Sequence, residues 1–265
     1  MIQDIAHLGL VDEQEIELDA AALEIAALDH ADVDLEDYVD LLQAMTDRLL
    51  TRAVTAHSAA AQAAALADVV AGEFRFHGDR DTYDDPANAD LISVIDRRKG
   101  MPIALSILYV AVGRRIGWTV HALNTPGHVL VAIGEDEPII IDPFNRGARV
   151  EPEQLVALLQ AMLGTAPLRD EHVAPMSNRA ALLRLLMNQA SRAERSNDAE
   201  RALAIYERIV TIAPAHSQGW WELGRLQIAL EQSSAARESL TSLLETTRDP
   251  FVRAQANSAL DALAT

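Results

Sequence analysis

From Pro102 to Ile116 the residues are apolar almost all the way round, with Ile103, Leu105, Ile107, Leu108, Val110 and Val112 falling on every side of a helix. A helix without a polar face has to be enclosed by other elements. Pro102 suits the first turn, where a missing N–H costs no hydrogen bond, and Gly117 suits the end. Three strand candidates follow at once: Trp118–Leu123, His128–Ile133 and Ile139–Asp142. Only the turn-like Thr125-Pro126-Gly127 and Gly134–Pro138 separate them. Strands this close leave no room for crossover helices, so they predict an antiparallel meander. The expected fold class is α+β, with a central buried helix against an antiparallel sheet.

Helical patterns surround this core. Residues 13–30 and 35–52 carry apolar stripes at helical spacing, the second with Asp34 as a cap. Residues 53–71 hold ten alanines and predict a third helix. The stretch 73–89 reads as a loop anchored by Phe74, Phe76 and Tyr83, and 88–99 as a short helix. Pro152–Leu163 returns to helix.

From about Met176 the chain reads as helical to its end, and it repeats. Ala190 and Gly224, Ala202 and Ala236, and Tyr206 and Leu240 are each 34 residues apart, and Pro214 closes the first unit. Small residues at that period are what a stack of helical hairpins needs where two helices touch. The pattern resembles the tetratricopeptide repeat. The expected domains are therefore 1–175, the core with its N-terminal helices, and 176–265, the repeat-like helices.

Charge and composition exclude several function classes. Twenty-two basic against 40 acidic side chains give a net charge of −18, which disfavours nucleic acid and anionic membranes as partners. Residues 1–50 carry 14 acids against Arg48 alone. Lys99 is the sole lysine, so cationic work falls to arginine. There is no cysteine, hence no disulfide, thiolate metal site or cysteine nucleophile. The beginning of the chain lacks the features of a signal peptide. The run Ala53–Ala67 is too short to span a bilayer, and Ile116–Gly134 is interrupted by Asn124, Pro126, Gly127 and His128. A cytoplasmic location is expected.

Four segments carry the most specific pattern: Tyr83-x-Asp85-Pro86-x-Asn88, Arg97-Arg98-Lys99-Gly100-Met101-Pro102-Ile103, Pro126-Gly127-His128, and Asp142-Pro143-Phe144-Asn145-x-Gly147. Together with the downstream repeat they resemble the SirB-type family, in which a transglutaminase-like domain precedes tetratricopeptide repeats. The resemblance covers nearly the whole chain. It implies a papain-like core with a cysteine at the start of the central helix, a histidine on a following strand and an aspartate on the next. His128 and Asp142 stand at the last two positions. The first falls on Pro102, Ile103 and Ala104, none of which can attack a carbonyl.

The resemblance therefore implies a catalytically silent protein. It would act as an interaction, scaffold or regulatory module on protein or peptide partners, through the repeat domain and the vestigial cleft, with no cofactor and no metal. The alternative is a hydrolase or amidase-like enzyme in which His128 and Asp142 activate a water or Ser106. Each residue also has a plain structural reading. A His–carboxylate bond can pin two strands together, and a mid-helix serine bonds its own backbone. Arg97 and Arg98 either pair with Asp85, Asp96 or Asp142 or form an anion clamp beside the helix start.

Overall fold

The computed structural model describes residues 5–263, and the chain divides into two compact units, each considered separately. The larger, Glu17–Leu182, is built around the apolar helix. Six helices belong to it: α1 (Leu18–Ala27), α2 (Glu36–Ala53), α3 (Ala59–Ala67), α4 (Leu91–Arg97), α5 (Pro102–Arg115) and α6 (Pro152–Leu163). Every residue of α5 from Pro102 to Gly113 is buried. Helices α1, α2 and α4 pack on it, and so does the sheet. At roughly 25 cal/mol per Å² of apolar surface removed from water, this enclosed helix is a major source of the unit's stability.

Two short parallel strands, β1 (His77–Gly78) and β2 (Lys99–Gly100), bring the loop after α3 alongside the start of α5. The main sheet is the expected antiparallel meander, β3 (Val120–Ala122), β4 (Val131–Ile133), β5 (Ile139–Asp142) and β6 (Ala148–Arg149), in sequence order. The fold is thus α+β, as expected.

Three elements differ from the sequence reading. Residues 13–30 do not form one helix: Ile16 and Glu17 are extended, Ile16 is buried, and α1 starts at Leu18. The alanine-rich helix starts only at Ala59, because Ser58 turns away and accepts from the Ala61 amide. A wider π-helical turn, Asp68–Glu73, then extends it. The strand expected from His128 begins at Val131, because Pro126 and Gly127 hold His128 in a bend.

The other unit comprises the residues up to Ile16 and Leu183–Thr265, whereas the sequence reading drew a single cut at 175/176. Helix α7 (Asn178–Arg195) spans the division, and α8 (Ala199–Ile212), α9 (Ser217–Ala229), α10 (Ser233–Thr246) and α11 (Pro250–Ala262) follow. Helices α8 to α11 pack each on the next. The 34-residue period is physical: α8 and α10 start 34 residues apart, and Ala202 and Ala236 are both fully buried. Gly224 lies where a Cβ would come within 3.1 Å of Leu240, so α9 and α10 approach closely. Before α1, a 3-10 turn at Ala6–Gly9 packs on α8, with Gly9 against the Thr211 carbonyl. Among the described residues no helix is long and apolar enough to cross a membrane.

Candidate active site

Asp142 is the last residue of β5 and caps the 3-10 turn Pro143–Asn145, its Oδ1 accepting from the amides of Phe144 (3.0 Å) and Asn145 (3.3 Å). The same oxygen lies 2.9 Å from His128 Nε2. Since a carboxylate only accepts, Nε2 carries the hydrogen, and in the neutral form of the ring Nδ1 holds the lone pair. The bend that carries His128 is closed by its own amide, which donates to the Pro126 carbonyl, and by the Thr125 hydroxyl, which donates to the His128 carbonyl. The imidazole and carboxylate side chains are 18% and 16% exposed, so the pair is half-buried.

Phe144 is the hub of the surroundings. Its ring meets His128 edge-on at 5.8 Å and Tyr83 likewise on another side. The Arg80 guanidinium lies 5.5 Å from the Phe144 centroid and bonds Asn145 Oδ1 at 3.2 Å. Gly147, at φ +72°, has room for no side chain: a Cβ would stand 2.9 Å from Tyr109 Oη. That phenol, deep on α5, has no hydrogen-bond partner among the described residues. Burial, reinforced by the charge of Asp142, pushes it far above the ordinary tyrosine range, so it stays neutral.

At the start of α5 stand Met101 as cap and then Pro102, Ile103 and Ala104, all buried. Ser106 is fully buried, and its hydroxyl donates to the Pro102 carbonyl at 2.8 Å. The site thus pairs a histidine with a carboxylate. Neither the first turn of α5 nor the back-bonded Ser106 supplies a free side-chain nucleophile.

The two arginines go different ways. Arg97 reaches Asp79 Oδ2 at 2.8 Å and Asn88 Oδ1 at 3.2 Å. Arg98, at φ +57°, turns instead over the Phe76 ring, 4.8 Å from its centroid. They are not brought together as one clamp. Asp79, 1% exposed at its side chain, is a hub absent from the sequence reading. It also accepts from Lys99 Nζ (3.0 Å), from the Thr82 hydroxyl (2.7 Å) and from the amides of Asp81 and Thr82. Burial alone would raise its pKa, but the Thr82 bonds and Lys99 outweigh it and hold the carboxyl well below the usual range. Asn88 ties the loop down, donating to the Thr82 and Tyr83 carbonyls.

Residues 36–187 match the transglutaminase-like superfamily, and residues 193–260 match the tetratricopeptide repeat. The chain belongs to the transglutaminase-like superfamily. A UPF0162 protein of Xylella fastidiosa strain 9a5c is 30% identical over 243 residues, covering 90% of this chain and 86% of the relative. A UPF0162 protein of Vibrio cholerae is 30% identical over 145 residues, covering 54% and 53%. Human F-box only protein 21 is 27% identical over 100 residues, covering 34% and 16%. The transglutaminase-like match encloses the helix α5, His128, Asp142 and the Asp79 network. Among the described residues no group of three or more His, Cys, Asp or Glu side chains is arranged to hold a metal ion.

Proposed function

We propose that this chain is a catalytically silent, SirB-type member of the superfamily, working in the cytoplasm as an interaction, scaffold or regulatory module. Its partners are proteins or peptides, bound through the repeat domain at 176–265 and through the cleft of the domain at 1–175. The observation that carries the reading is the start of α5. Where the family resemblance puts a thiol, the chain has Pro102, Ile103 and Ala104, and it contains no cysteine anywhere. Without a nucleophile, an oriented histidine gives at most a small residual rate. Stacked helical hairpins provide extended binding faces, which supports the interaction role.

The His128–Asp142 hydrogen bond favours one second reading, a hydrolase in which the Nδ1 lone pair of His128 activates water. Ser106 suits that role less, since its hydroxyl is enclosed and bonded within the helix. The two readings part in a direct assay. The purified chain and a His128→Ala variant are compared for amine incorporation into glutamine substrates and for amide hydrolysis. The expected result is no turnover by either. Turnover by the parent that disappears in the variant overturns the silent reading, and where that turnover is amide hydrolysis it favours the hydrolase.

A further inference from the structure

A cavity of about 490 Å³ in the larger unit is lined by Ala71, Gly72, Arg75, His77, Arg98 and Arg146. Its volume falls within the ~300–1,000 Å³ usual for small-molecule sites. In a chain of net charge −18, three arginines and a histidine share one cavity without an acid among its lining residues. The acids next to them in sequence are engaged elsewhere. Glu73 takes Arg48 and Arg52, Asp79 takes Arg97 and Lys99, Asp96 accepts from Tyr38, and Asp142 holds His128. Arg75 and Arg146 have no side-chain hydrogen bond or ion pair among the described residues, and Arg98 Nη1 is buried with no hydrogen-bond partner. Burial lowers the Arg98 pKa, with Asp96 only partly opposing it, as befits a cation short of counter-charge.

The backbone adds an independent observation. Arg75, Arg98 and Arg146 all adopt left-handed conformations, at φ +64°, +57° and +57°. Long side chains rarely sit there, and glycine or asparagine would do so with less strain. Arg98 and Arg146 are the left-handed caps that close the helical turns before them, and Arg75 follows another, so three helix ends deliver their arginines to one cavity. His77 completes the set: its Nδ1 bonds the Gly78 carbonyl at 3.0 Å, which leaves Nε2 for a ligand.

We propose that this cavity is a binding site for a small phosphate-bearing molecule, a phosphomonoester whose dianion is gripped by Arg75, Arg98 and Arg146. Guanidinium forks match phosphate oxygens in pairs. Three of them exceed what a single carboxylate would neutralise. The volume leaves room for a short organic group beyond the phosphate. The site is separate from the His128 pair and does not depend on whether that pair is active.

The test is calorimetric titration of the full chain with inorganic phosphate and with glycerol 3-phosphate, at fixed ionic strength against chloride. Saturable binding is expected for both, tighter for the ester. Arg75→Gly and Arg146→Gly should each weaken it by at least about tenfold, the loss of a charge-assisted hydrogen bond. Neither should lower the melting temperature, because glycine adopts that backbone freely. Arg169→Gln, which alters a surface pair with Glu171, should leave binding unchanged. Absence of saturable binding by the parent, or binding that survives both glycine variants, overturns the proposal.

Discussion

Asp79 shows how one side chain can hold a site without belonging to it. It gathers Arg97 from α4 and Lys99 from β2 onto the loop before Asn88, and so sets the path of the chain into α5. Asp79→Asn keeps an oxygen for the Asp81 and Thr82 amides but removes the charge and puts a donor where Oδ2 accepted from Thr82, Arg97 and Lys99. It should cost about 2 kcal/mol in urea unfolding at neutral pH, less than a wholly buried pair because Arg97 and Lys99 keep some contact with water. The carboxyl is held below its ordinary pKa, so its contribution is fully present above about pH 4 and fades as pH falls toward the depressed folded-state value. The stability gap between parent and variant should therefore narrow between about pH 4 and pH 2; a gap that stays constant contradicts the assignment. Nothing in the sequence singles this residue out, since Asp79, Asp81, Asp84 and Asp85 crowd one loop. Its role comes from where two distant cations land. His128 and Asp142, by contrast, are legible through the family resemblance, on the motifs Pro126-Gly127-His128 and Asp142-Pro143-Phe144-Asn145-x-Gly147. Arg75 and Arg146 look like ordinary surface arginines until the cavity they share with Arg98 is seen.

Helix α5 is legible as the centre of the fold because its burial is written on every side. The strands beside it are legible in order but not in length, since turns and caps rather than side-chain alternation set where pairing stops. Two-residue strands such as β1 and β2 leave no periodicity to read, yet β1 supports the candidate site directly. A Cβ on Gly78 would collide with the edge of the Phe144 ring and stand 2.5 Å from the Phe144 carbonyl oxygen. Backbone cannot yield as a flexible side chain does, so Gly78→Ala should push the 3-10 turn 143–145 away from β1. The expected cost is about 1–3 kcal/mol by chemical denaturation. Because Phe144 meets the His128 ring, the imidazole proton resonances of His128 should move as well. Unchanged resonances with unchanged stability would mean that β1 does not position the turn. The repeat helices follow the sequence most closely, because their spacing depends on small residues at fixed intervals rather than on single contacts.

For the whole molecule, the dominant fact is an excess of negative charge, concentrated in the first 50 residues. Self-repulsion of this kind is long-ranged and screened by salt, with a Debye length near 10 Å at ~0.1 M. Short internal pairs such as Asp79–Arg97 are screened far less. The melting temperature at pH 7 should therefore rise between about 10 and 200 mM sodium chloride. A fall in calorimetric scans would mean that exposed ion pairs outweigh the repulsion. Among so few cations the placement of the single lysine has a chemical consequence. Lys99 lies in β2 with its ammonium on Asp79, 30% exposed. An amine-reactive ester has this one side-chain target in the entire sequence, and the Asp79 contact must open before the nitrogen can be acylated. The speed at which Lys99 is labelled, read by mass spectrometry apart from the terminal amine, is thus a clock that counts how often this ion pair breaks beside the entry to the buried helix.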